Sequence, residues 1–378
     1  MKEYFTKLDA LRGIAAFGVV LFHSVFYYPA FQSSFVHNSY LFVDLFFILS
    51  GFVITNAYKD KIENSLKFRD FFLLRLGRIY PLHFLLIALW AVNIYVKLQL
   101  FNSGIELVNP LIKHNYKTLA TNFLLVHSLN INSDTSWNYP SWSISLEFFT
   151  YLMFFAFAYI VRGKKTWFFA LLISIASYGY LIRFIKTPSF DFTVQNGIFR
   201  CIGGFFAGVV LFYAVKNIKI ENKLLINLLE ISTVCAVFFC LMFASTNIII
   251  LLATIPAFIF TIAVFSNKHD GIIGKLLKTR ILQNCGKYSY SIYMIHALVI
   301  EAVFSLAKYL IIKPTEEIFF IETEYAFAIN IGFIVVIYWL AKLTYFTVEK
   351  VWIDKTKNFV NELNEAEKSK SNNSILFD

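Results

Sequence analysis

Residues 246–266 read TNIIILLATIPAFIFTIAVFS, a run that contains no charged side chain. A helix of this length crosses the hydrocarbon core of a bilayer. Within lipid the backbone must satisfy its own hydrogen bonds, and a helix does so inside one segment. The run therefore predicts a transmembrane helix. The whole chain agrees, since 58% of its 378 residues are hydrophobic and 15% are charged, against about half and a quarter in soluble domains.

Similar apolar runs recur along the chain, and together they predict an all-α polytopic membrane protein, a bundle of about ten transmembrane helices. The apolar segment 119–131 is too short to span and is expected to be a re-entrant or surface piece. Residues 1–350 are expected to form the transmembrane domain and 351–378 a polar cytoplasmic tail, of which 356–378 is expected to fray. The predicted spans are 9–28, 39–57, 79–96, 144–161, 167–185, 197–215, 224–243, 246–266, 288–312 and 325–348.

The distribution of basic residues predicts the orientation. With the N-terminus in the cytoplasm, the cytoplasmic segments hold 24 of the 34 lysines and arginines, and the opposite side holds five. This asymmetry is the positive-inside pattern, and it places both termini in the cytoplasm. The net charge of +10 is then explained by topology and by contacts with anionic lipids, without nucleic acid. We therefore expect a multi-pass protein of the inner (cytoplasmic) membrane.

The first span contains Arg12 and His23, which are costly to place in a membrane and are therefore functional candidates. They are eleven residues apart, about three helical turns, so they share a face and lie about 16 Å apart along the axis. A lone histidine on an apolar helix is more often a packing residue. The arginine on the same face favours a polar pathway.

Two carboxylates accompany the second and fourth spans. Asp44 lies at a depth similar to His23 and could fix the tautomer of that imidazole, or it could be an interfacial residue that faces water. Glu147 lies about one turn inside its span, and its expected partner on another helix is His23 or Arg200. Arg200, at the start of the sixth span, could instead extend to the lipid headgroups.

Arg75 and Arg78 precede the third span and are three residues apart, so they face the same way on a helix. Guanidinium groups bind phosphate well. The pair therefore predicts a clamp for a phosphorylated cytoplasmic ligand, and the alternative is an ordinary positive-inside anchor.

Polar residues also recur at helical spacing in the fourth and ninth spans. Ser143 lies four residues before Glu147, and Ser289, Tyr293 and His296 follow one helical face. Ser143 is a candidate pathway residue, and the stripe on the ninth span is either a polar pathway or a packing stripe. No HExxH or CxxC spacing occurs, so no metal site is predicted.

Five motifs in order resemble the membrane acyltransferase family 3, whose members O-acylate bacterial surface glycans. The resemblance covers nearly the whole chain, through FTVEK at 346–350. The family often has a second acidic residue after the position of Glu147, where this chain has Phe148, so a role for two carboxylates is not carried over. The motifs are LDALRGIAAFGVVLFH at 8–23, FVDLFFILSGF at 42–52, RxxR at Arg75 and Arg78, SWSISLEFF at 141–149 and YSYSIYMIH at 288–296.

The resemblance implies an acyl-CoA donor, with acetyl as the expected acyl group, and no permanently bound cofactor. Arg75 and Arg78 would hold the phosphates of the donor, and its pantetheine arm would pass Arg12. The essential histidine of the family maps to His23, which would act as a general base or in an acyl-enzyme step. Asp44 or Glu147 would orient it. Direct transfer and a relayed acyl group both remain open.

The implied acceptor is a hydroxyl of a cell-surface polysaccharide or a lipid-linked glycan, and glycan-assembly proteins are candidate partners. Some family members carry an esterase-like domain after the last span. This chain ends about 30 residues after that span, so we expect it to resemble the single-domain members, which modify lipopolysaccharide O-antigen, capsule or exopolysaccharide.

Two other functions fit a polytopic protein with buried charges. A transporter or flippase for a glycan-related substrate would also use intramembrane Arg, His and Glu. Transporters commonly show internal repeats, and this sequence has none that we detect. A membrane subunit that only holds glycan machinery together would tolerate changes at the polar residues.

The predicted orientation can be tested with reporter fusions at Lys164, Lys219 and Glu362. All three should report the cytoplasm, because each lies in a segment assigned to the basic side. A periplasmic signal at any of the three positions would reject the topology.

Overall fold

The computed structural model describes residues 5–24, 26–27, 33–106, 108–310, 321–322 and 325–375. Its long elements are all helices, and the two-residue strands β1 (Phe26–Tyr27) and β2 (Ile321–Glu322) pair in parallel. A π-helical segment, Tyr345–Glu349, joins the last two helices. The helices are α1 (Thr6–Phe22), α2 (Ser34–His37), α3 (Phe42–Asn64), α4 (Phe68–Asn102), α5 (Tyr116–Phe123), α6 (Ser141–Ile160), α7 (Thr166–Ile182), α8 (Gly197–Val215), α9 (Lys223–Phe243), α10 (Ile248–Phe265), α11 (Ile272–Leu277), α12 (Arg280–Lys287), α13 (Ser289–Leu310), α14 (Ala326–Thr344) and α15 (Lys350–Ile375).

The all-α prediction is confirmed, and the chain is a multi-pass membrane protein. Every predicted span overlaps a helix within the described residues, although the ends differ. Within the described residues, seven helical stretches are long and apolar enough to cross a membrane, while α7 and the apolar part of α13 (Ser289–Ser305) are shorter. The 17-residue α1 is shorter too and carries charges, so helix length and composition support seven spans directly.

Helix ends differ from the predicted spans. The first helix ends at Phe22 instead of residue 28, and α4 has 35 residues and begins at Phe68, well before residue 79. Hydropathy marks the part of a helix that crosses lipid, whereas a helix continues wherever its backbone hydrogen bonds persist. The apolar segment 119–131 falls partly in α5, which has 8 residues and is too short to cross a bilayer, as predicted.

Helices α3 and α8 pack with their backbones in direct contact. A Cβ atom on Gly51 would lie 1.8 Å from the carbonyl oxygen of Phe205, and a Cβ on Gly208 would lie 2.0 Å from that of Ile48. Only glycine permits this approach, which is the small-residue packing typical of membrane helices. The FILSGF segment and the GGFFAG segment are therefore complementary surfaces.

The first helix is held by equally close packing on its other side. A Cβ on Gly13 would lie 2.5 Å from the backbone carbon of Cys285, and one on Gly286 would lie 2.2 Å from the carbonyl oxygen of Asp9. The short helix α12 therefore lies directly against the first half of α1. This contact, with α13 and α3 on its other faces, gives α1 a central position.

The prediction that the polar tail frays is wrong for the described residues, since α15 is helical to Ile375. Ionic and amide contacts hold it against the first turn of α4. Arg69 donates to Glu367 at 2.5 Å, and Asn364 donates to Asp70 at 2.9 Å. Polar composition alone does not reveal such a partner, because the two helices are almost 300 residues apart in sequence.

Candidate active site

A cavity of about 250 Å³ lies among α1, α3, α4, α6 and α13. Apolar side chains from α3 and α4 form much of its wall, and the polar groups come mostly from the motifs identified above. The predicted site residues in its lining are Arg12, Arg75, Arg78, Ser143, Glu147 and Tyr293. The predicted site residues outside its lining are His23, Asp44, Arg200 and His296.

Arg75 presents an uncompensated positive charge to this cavity. Its Nη2 donates to the hydroxyl of Tyr58 at 2.6 Å, and its guanidinium lies over the rings of Tyr58 and Tyr151, 4.8 and 5.8 Å from their centroids. The Nε atom is buried and has no hydrogen-bond partner. No described carboxylate lies within ion-pair distance of this arginine. A buried donor on a cation requires an anionic or strongly accepting partner.

Arg78 also lines the cavity, but its charge is neutralised. Its Nη1 lies 2.5 Å from Oε1 of Glu349, a side chain with no solvent exposure. The second carboxylate oxygen of Glu349 accepts a hydrogen bond from Ser291 at 2.8 Å. The predicted two-arginine clamp is therefore unequal, because only Arg75 is available to a ligand without breaking an ion pair.

The third arginine of the cavity, Arg12, is paired locally. Its Nη1 donates to Oδ1 of Asp9 at 2.7 Å, one turn earlier on α1. Both side chains are partly exposed, with 26% and 17% of their surfaces accessible. A pair of this kind is weak, so Arg12 can turn toward a second anion at little cost.

Glu147 does not contact His23 or Arg200, so both expected partners are wrong. Its Oε1 accepts from the hydroxyl of Tyr151 on the same helix at 2.5 Å, and Ser50 lies 2.9 Å from that hydroxyl. Sequence reasoning did not identify Tyr151 as the partner, because it lies one turn further along the same helix among apolar residues. Glu147 therefore faces the cavity as part of a hydroxyl network and does not orient His23.

The expectation that Asp44 orients His23 is also wrong. Both oxygens of Asp44 accept from Arg200, at 2.9 Å from Nε and 2.7 Å from Nη2. The two side chains have 0% and 1% exposure, so Arg200 does not extend to lipid headgroups. The rings of Trp142 and Phe190 lie 5.5 Å from the guanidinium carbon. This pair belongs to the contact between α3 and α8.

His23 instead lies against a second histidine. It is the C-cap residue of α1, and its Nδ1 lies 3.0 Å from the carbonyl oxygen of Val19 and 3.2 Å from Nε2 of His296. His296 is fully buried on α13, and its Nδ1 lies 2.6 Å from the carbonyl oxygen of Tyr293. The ring of Tyr139 lies 5.0 Å from that of His23.

Tyr293 connects the cavity with the histidine pair. Its hydroxyl lies 2.8 Å from that of Ser143, and both residues line the cavity. Its carbonyl oxygen accepts from His296. The predicted stripe along α13 therefore reaches both places through one residue, whose hydroxyl faces the cavity and whose carbonyl binds His296.

Four residues at the site were missed by sequence reasoning: Ser50, Tyr139, Tyr151 and Glu349. The only available signals were their positions in or beside the motifs FVDLFFILSGF, SWSISLEFF and FTVEK. Their roles depend on partners from other helices, apart from the local contact of Tyr151.

The arrangement combines an unpaired cation, a carboxylate and hydroxyl groups in one cavity, with an imidazole pair beside it. These are groups for anion binding and proton transfer. Among the described residues, no group of three His, Cys, Asp or Glu side chains could hold a metal ion.

Comparison with known proteins identifies the class. The model of acyltransferase family 3, described as an acyltransferase domain, matches residues 5–342. The chain belongs to this family, which confirms the resemblance and the prediction of an acyltransferase. The match favours the enzyme over a transporter or flippase. No solved structure matches the chain.

Two of the three relatives described next are named as putative O-acetyltransferases. "Putative O-acetyltransferase SACOL0978" of Staphylococcus aureus is 24% identical over 330 residues, 80% of this chain and 52% of that protein. "Putative peptidoglycan O-acetyltransferase YrhL" of Bacillus subtilis is 34% identical over 97 residues, 24% of this chain and 14% of that protein. "Protein 2 in picA locus" of Rhizobium radiobacter is 43% identical over 90 residues, 24% of this chain and 45% of that protein. The chain thus spans about half the length, or less, of these relatives.

The role of the Asp44–Arg200 pair can be tested by single and double replacement. Arg200→Met should lower stability by about 3–5 kcal/mol, because it leaves a buried carboxylate without its partner. The double variant Asp44→Leu with Arg200→Met should recover much of that loss, since paired apolar replacements of buried ion pairs are often neutral. Thermal stability in detergent and acyl transfer would both be measured. A well-folded but inactive double variant would contradict a purely structural role.

Proposed function

We propose that this chain is an O-acetyltransferase of the bacterial inner membrane, which transfers acetyl from cytoplasmic acetyl-CoA to a hydroxyl of a cell-surface or lipid-linked glycan. Family membership supports the acyl transfer. The names of the S. aureus and B. subtilis relatives support acetyl as the acyl group and an oxygen as the acceptor atom. The B. subtilis name also supports a glycan acceptor.

The observation that carries the proposal is Arg75 in the cavity. Its buried Nε lacks a partner, and its charge lacks a carboxylate among the described residues. Diphosphate or phosphate oxygens of coenzyme A would satisfy both deficits with charge-assisted hydrogen bonds. At about 250 Å³ the cavity is smaller than the usual 300–1,000 Å³ of a ligand pocket. It would hold the acylated arm of the donor, while the nucleotide stays outside.

The proposed topology has ten spans and both termini in the cytoplasm. Arg75 and Arg78 then lie at the cytoplasmic end of the bundle, where the donor is available. His23 lies at the C-terminal end of α1, and Arg12 lies in the first half of that helix. A donor that enters past the arginines and an acceptor that approaches from outside would meet near His23. Glycan-assembly proteins would present the acceptor.

In the proposed reaction His23 acts as the general base. Its Nε2 removes the proton from the acceptor hydroxyl as that oxygen attacks the thioester carbonyl carbon. The carbon–sulfur bond then breaks, and the coenzyme A thiolate takes the proton back from Nε2. The products are the O-acetyl ester and free coenzyme A, and His23 is regenerated. Arg75 holds the donor throughout and takes no part in bond formation.

The donor site predicts different results for the two RxxR arginines. Arg75→Ala should weaken acetyl-CoA binding about 10–100-fold, because a hydrogen bond to a charged group contributes about 1.5–3 kcal/mol. The variant should insert and fold normally, since no ion pair is lost. Isothermal titration or a fluorescent donor analogue would measure the affinity.

In contrast to Arg75→Ala, the Arg78→Ala variant should have a lower thermal stability, because it leaves buried Glu349 without its ion-pair partner. Adding Glu349→Gln should restore the stability. The matched control is Arg162→Ala, since Arg162 is exposed and its contacts with described residues are to Tyr159, at the carbonyl oxygen and the ring. Unchanged donor affinity in Arg75→Ala would show that this arginine is only a topology anchor.

His23→Gln is the direct test of the proposed reaction. Glutamine keeps a similar size and hydrogen-bonding capacity but is not a base. Acetyl transfer should fall at least about a hundredfold at normal membrane abundance, since general bases contribute about 10²–10⁴-fold. The measurements are transfer of labelled acetyl from acetyl-CoA and the mass of surface glycans.

Expression of the wild-type protein should add one acetyl mass to the glycan, and the variant should not. His37→Gln is the matched control, because His37 is an exposed histidine whose ring packs on Phe22 and, within the described residues, makes no hydrogen bond or ring contact with either histidine of the pair. Near-normal transfer by well-expressed His23→Gln would remove this mechanism. A glycan of unchanged mass but altered export would instead support transport.

A further inference from the structure

The two carbonyl contacts of the histidine pair determine its protonation pattern. A carbonyl oxygen only accepts hydrogen bonds, so the Nδ1 of His296, 2.6 Å from the carbonyl of Tyr293, must carry its proton. In the neutral imidazole, Nε2 of His296 is then an acceptor. The Nδ1 of His23, 3.0 Å from the carbonyl of Val19, must carry a proton for the same reason.

The same assignment accounts for the contact between the rings. The Nδ1–H of His23 faces the lone pair on Nε2 of His296 across 3.2 Å, a donor opposite an acceptor. The proton on Nδ1 is therefore shared between a ring nitrogen and the carbonyl of Val19. The carbonyl oxygen of Val19 also accepts the backbone N–H of His23, at 3.2 Å. The Nε2 atom of His296 therefore gives Nδ1–H of His23 a second acceptor.

This arrangement leaves Nε2 of His23 as its basic atom. Among the described residues Nε2 has no hydrogen-bond partner, and the ring is only partly buried. A base that must reach an incoming hydroxyl needs such a free nitrogen. In catalytic triads a carboxylate on the other ring nitrogen secures this state, but the carboxylates predicted for that role, Asp44 and Glu147, bond Arg200 and Tyr151 instead.

We propose that His296 is the positioning residue for His23, and that a neutral imidazole here takes the place of the orienting carboxylate. The inference rests on the proposed function, in which His23 is the general base. His296 fixes the ring orientation and, together with the carbonyl of Val19, the Nδ1–H tautomer. When Nε2 takes the proton of the acceptor hydroxyl, the resulting imidazolium still has two acceptors at Nδ1, namely Nε2 of His296 and the carbonyl of Val19.

Because the partner of His23 is itself an imidazole, it limits how many protons the two rings can hold. A second proton on Nε2 of His296 would set two N–H groups against each other, so the pair accepts one proton and not two. The described titratable groups beside the pair are the phenols of Tyr139, from the segment before α6, and Tyr293, with rings 6.1 and 5.9 Å from that of His296. Carbonyl oxygens of α1 and α13 complete its polar surroundings. Further along α13, Glu301 is paired with Lys97.

The test compares His296→Leu with His296→Gln in the full-length protein. Leucine removes the acceptor, whereas the side-chain oxygen of glutamine can still accept from Nδ1 of His23. We expect kcat to fall about 10–100-fold in the leucine variant, the scale found for partners that orient a functional histidine. The glutamine variant should retain kcat within about tenfold, and KM for acetyl-CoA should stay within about twofold in both.

Nitrogen-15 NMR of histidine-labelled protein in lipid provides a readout that a packing role would not move. The wild-type His23 signal, assigned by its loss in His23→Gln, should show a protonated Nδ1 and a bare Nε2. In His296→Leu the fraction of His23 with a protonated Nδ1 should fall, because the carbonyl of Val19, which also accepts the backbone N–H of His23, is then the one described acceptor left for Nδ1. His37→Gln serves as the control for both measurements.

Full kcat in an inserted His296→Leu protein would overturn the proposal, and so would an Nε2–H tautomer for His23 in the wild-type protein. If the leucine variant does not insert, His296→Ala takes its place, because alanine also removes the acceptor. An Nδ1–H tautomer in the wild type is already expected from the carbonyl of Val19, so the comparison with a His296 variant carries the positive result. If His23→Gln keeps full activity while the Nδ1–H tautomer is observed, the proposed general base fails. The tautomer assignment would then survive without a catalytic role.

Discussion

A guanidinium and a carboxylate that are both excluded from solvent join α8 to α3 through Arg200 and Asp44. An isolated ion in such a place would cost many kcal/mol, so neither helix can rotate or slide without breaking both hydrogen bonds. The backbone contacts at Gly51 and Gly208 restrict the same two helices. Because α3 also supplies part of the cavity wall, the position of the site depends on this pair.

The neutralisation of charges inside the bundle also determines which groups remain available for chemistry. Arg200 is bound to Asp44, Arg78 to Glu349 and Arg12 to Asp9. Among the arginines of the cavity, Arg75 is left with a buried donor and no described carboxylate. The same distribution leaves the histidine pair without a carboxylate. One imidazole can then orient the other, since the carbonyls beside them set complementary tautomers.

Much of the architecture follows from the amino-acid pattern. Apolar runs such as 246–266 must form helices if they cross a membrane. Each predicted span overlaps a helix of the structure. Charge inside a span singled out Arg12 and Glu147. Six predicted residues line one cavity, the others having been selected as an arginine pair or by helical spacing: Arg12, Arg75, Arg78, Ser143, Glu147 and Tyr293. The family assignment was also accessible, because it depends on local motifs in a set order. Helix ends were less accessible, since hydropathy reports contact with lipid and not backbone hydrogen bonding.

The sequence by itself thus determined the helical membrane class, the family and the set of costly polar residues. Only the tertiary structure decided which of them are partners. Asp44 was expected beside His23 but bonds Arg200, 156 residues away, and His23 contacts His296, 273 residues away. Spacing along one helix determines which side chains share a face. It carries no information on which faces of separate helices meet, because that depends on close packing, as at Gly51 and Gly208, and on the balance of charge across the whole bundle.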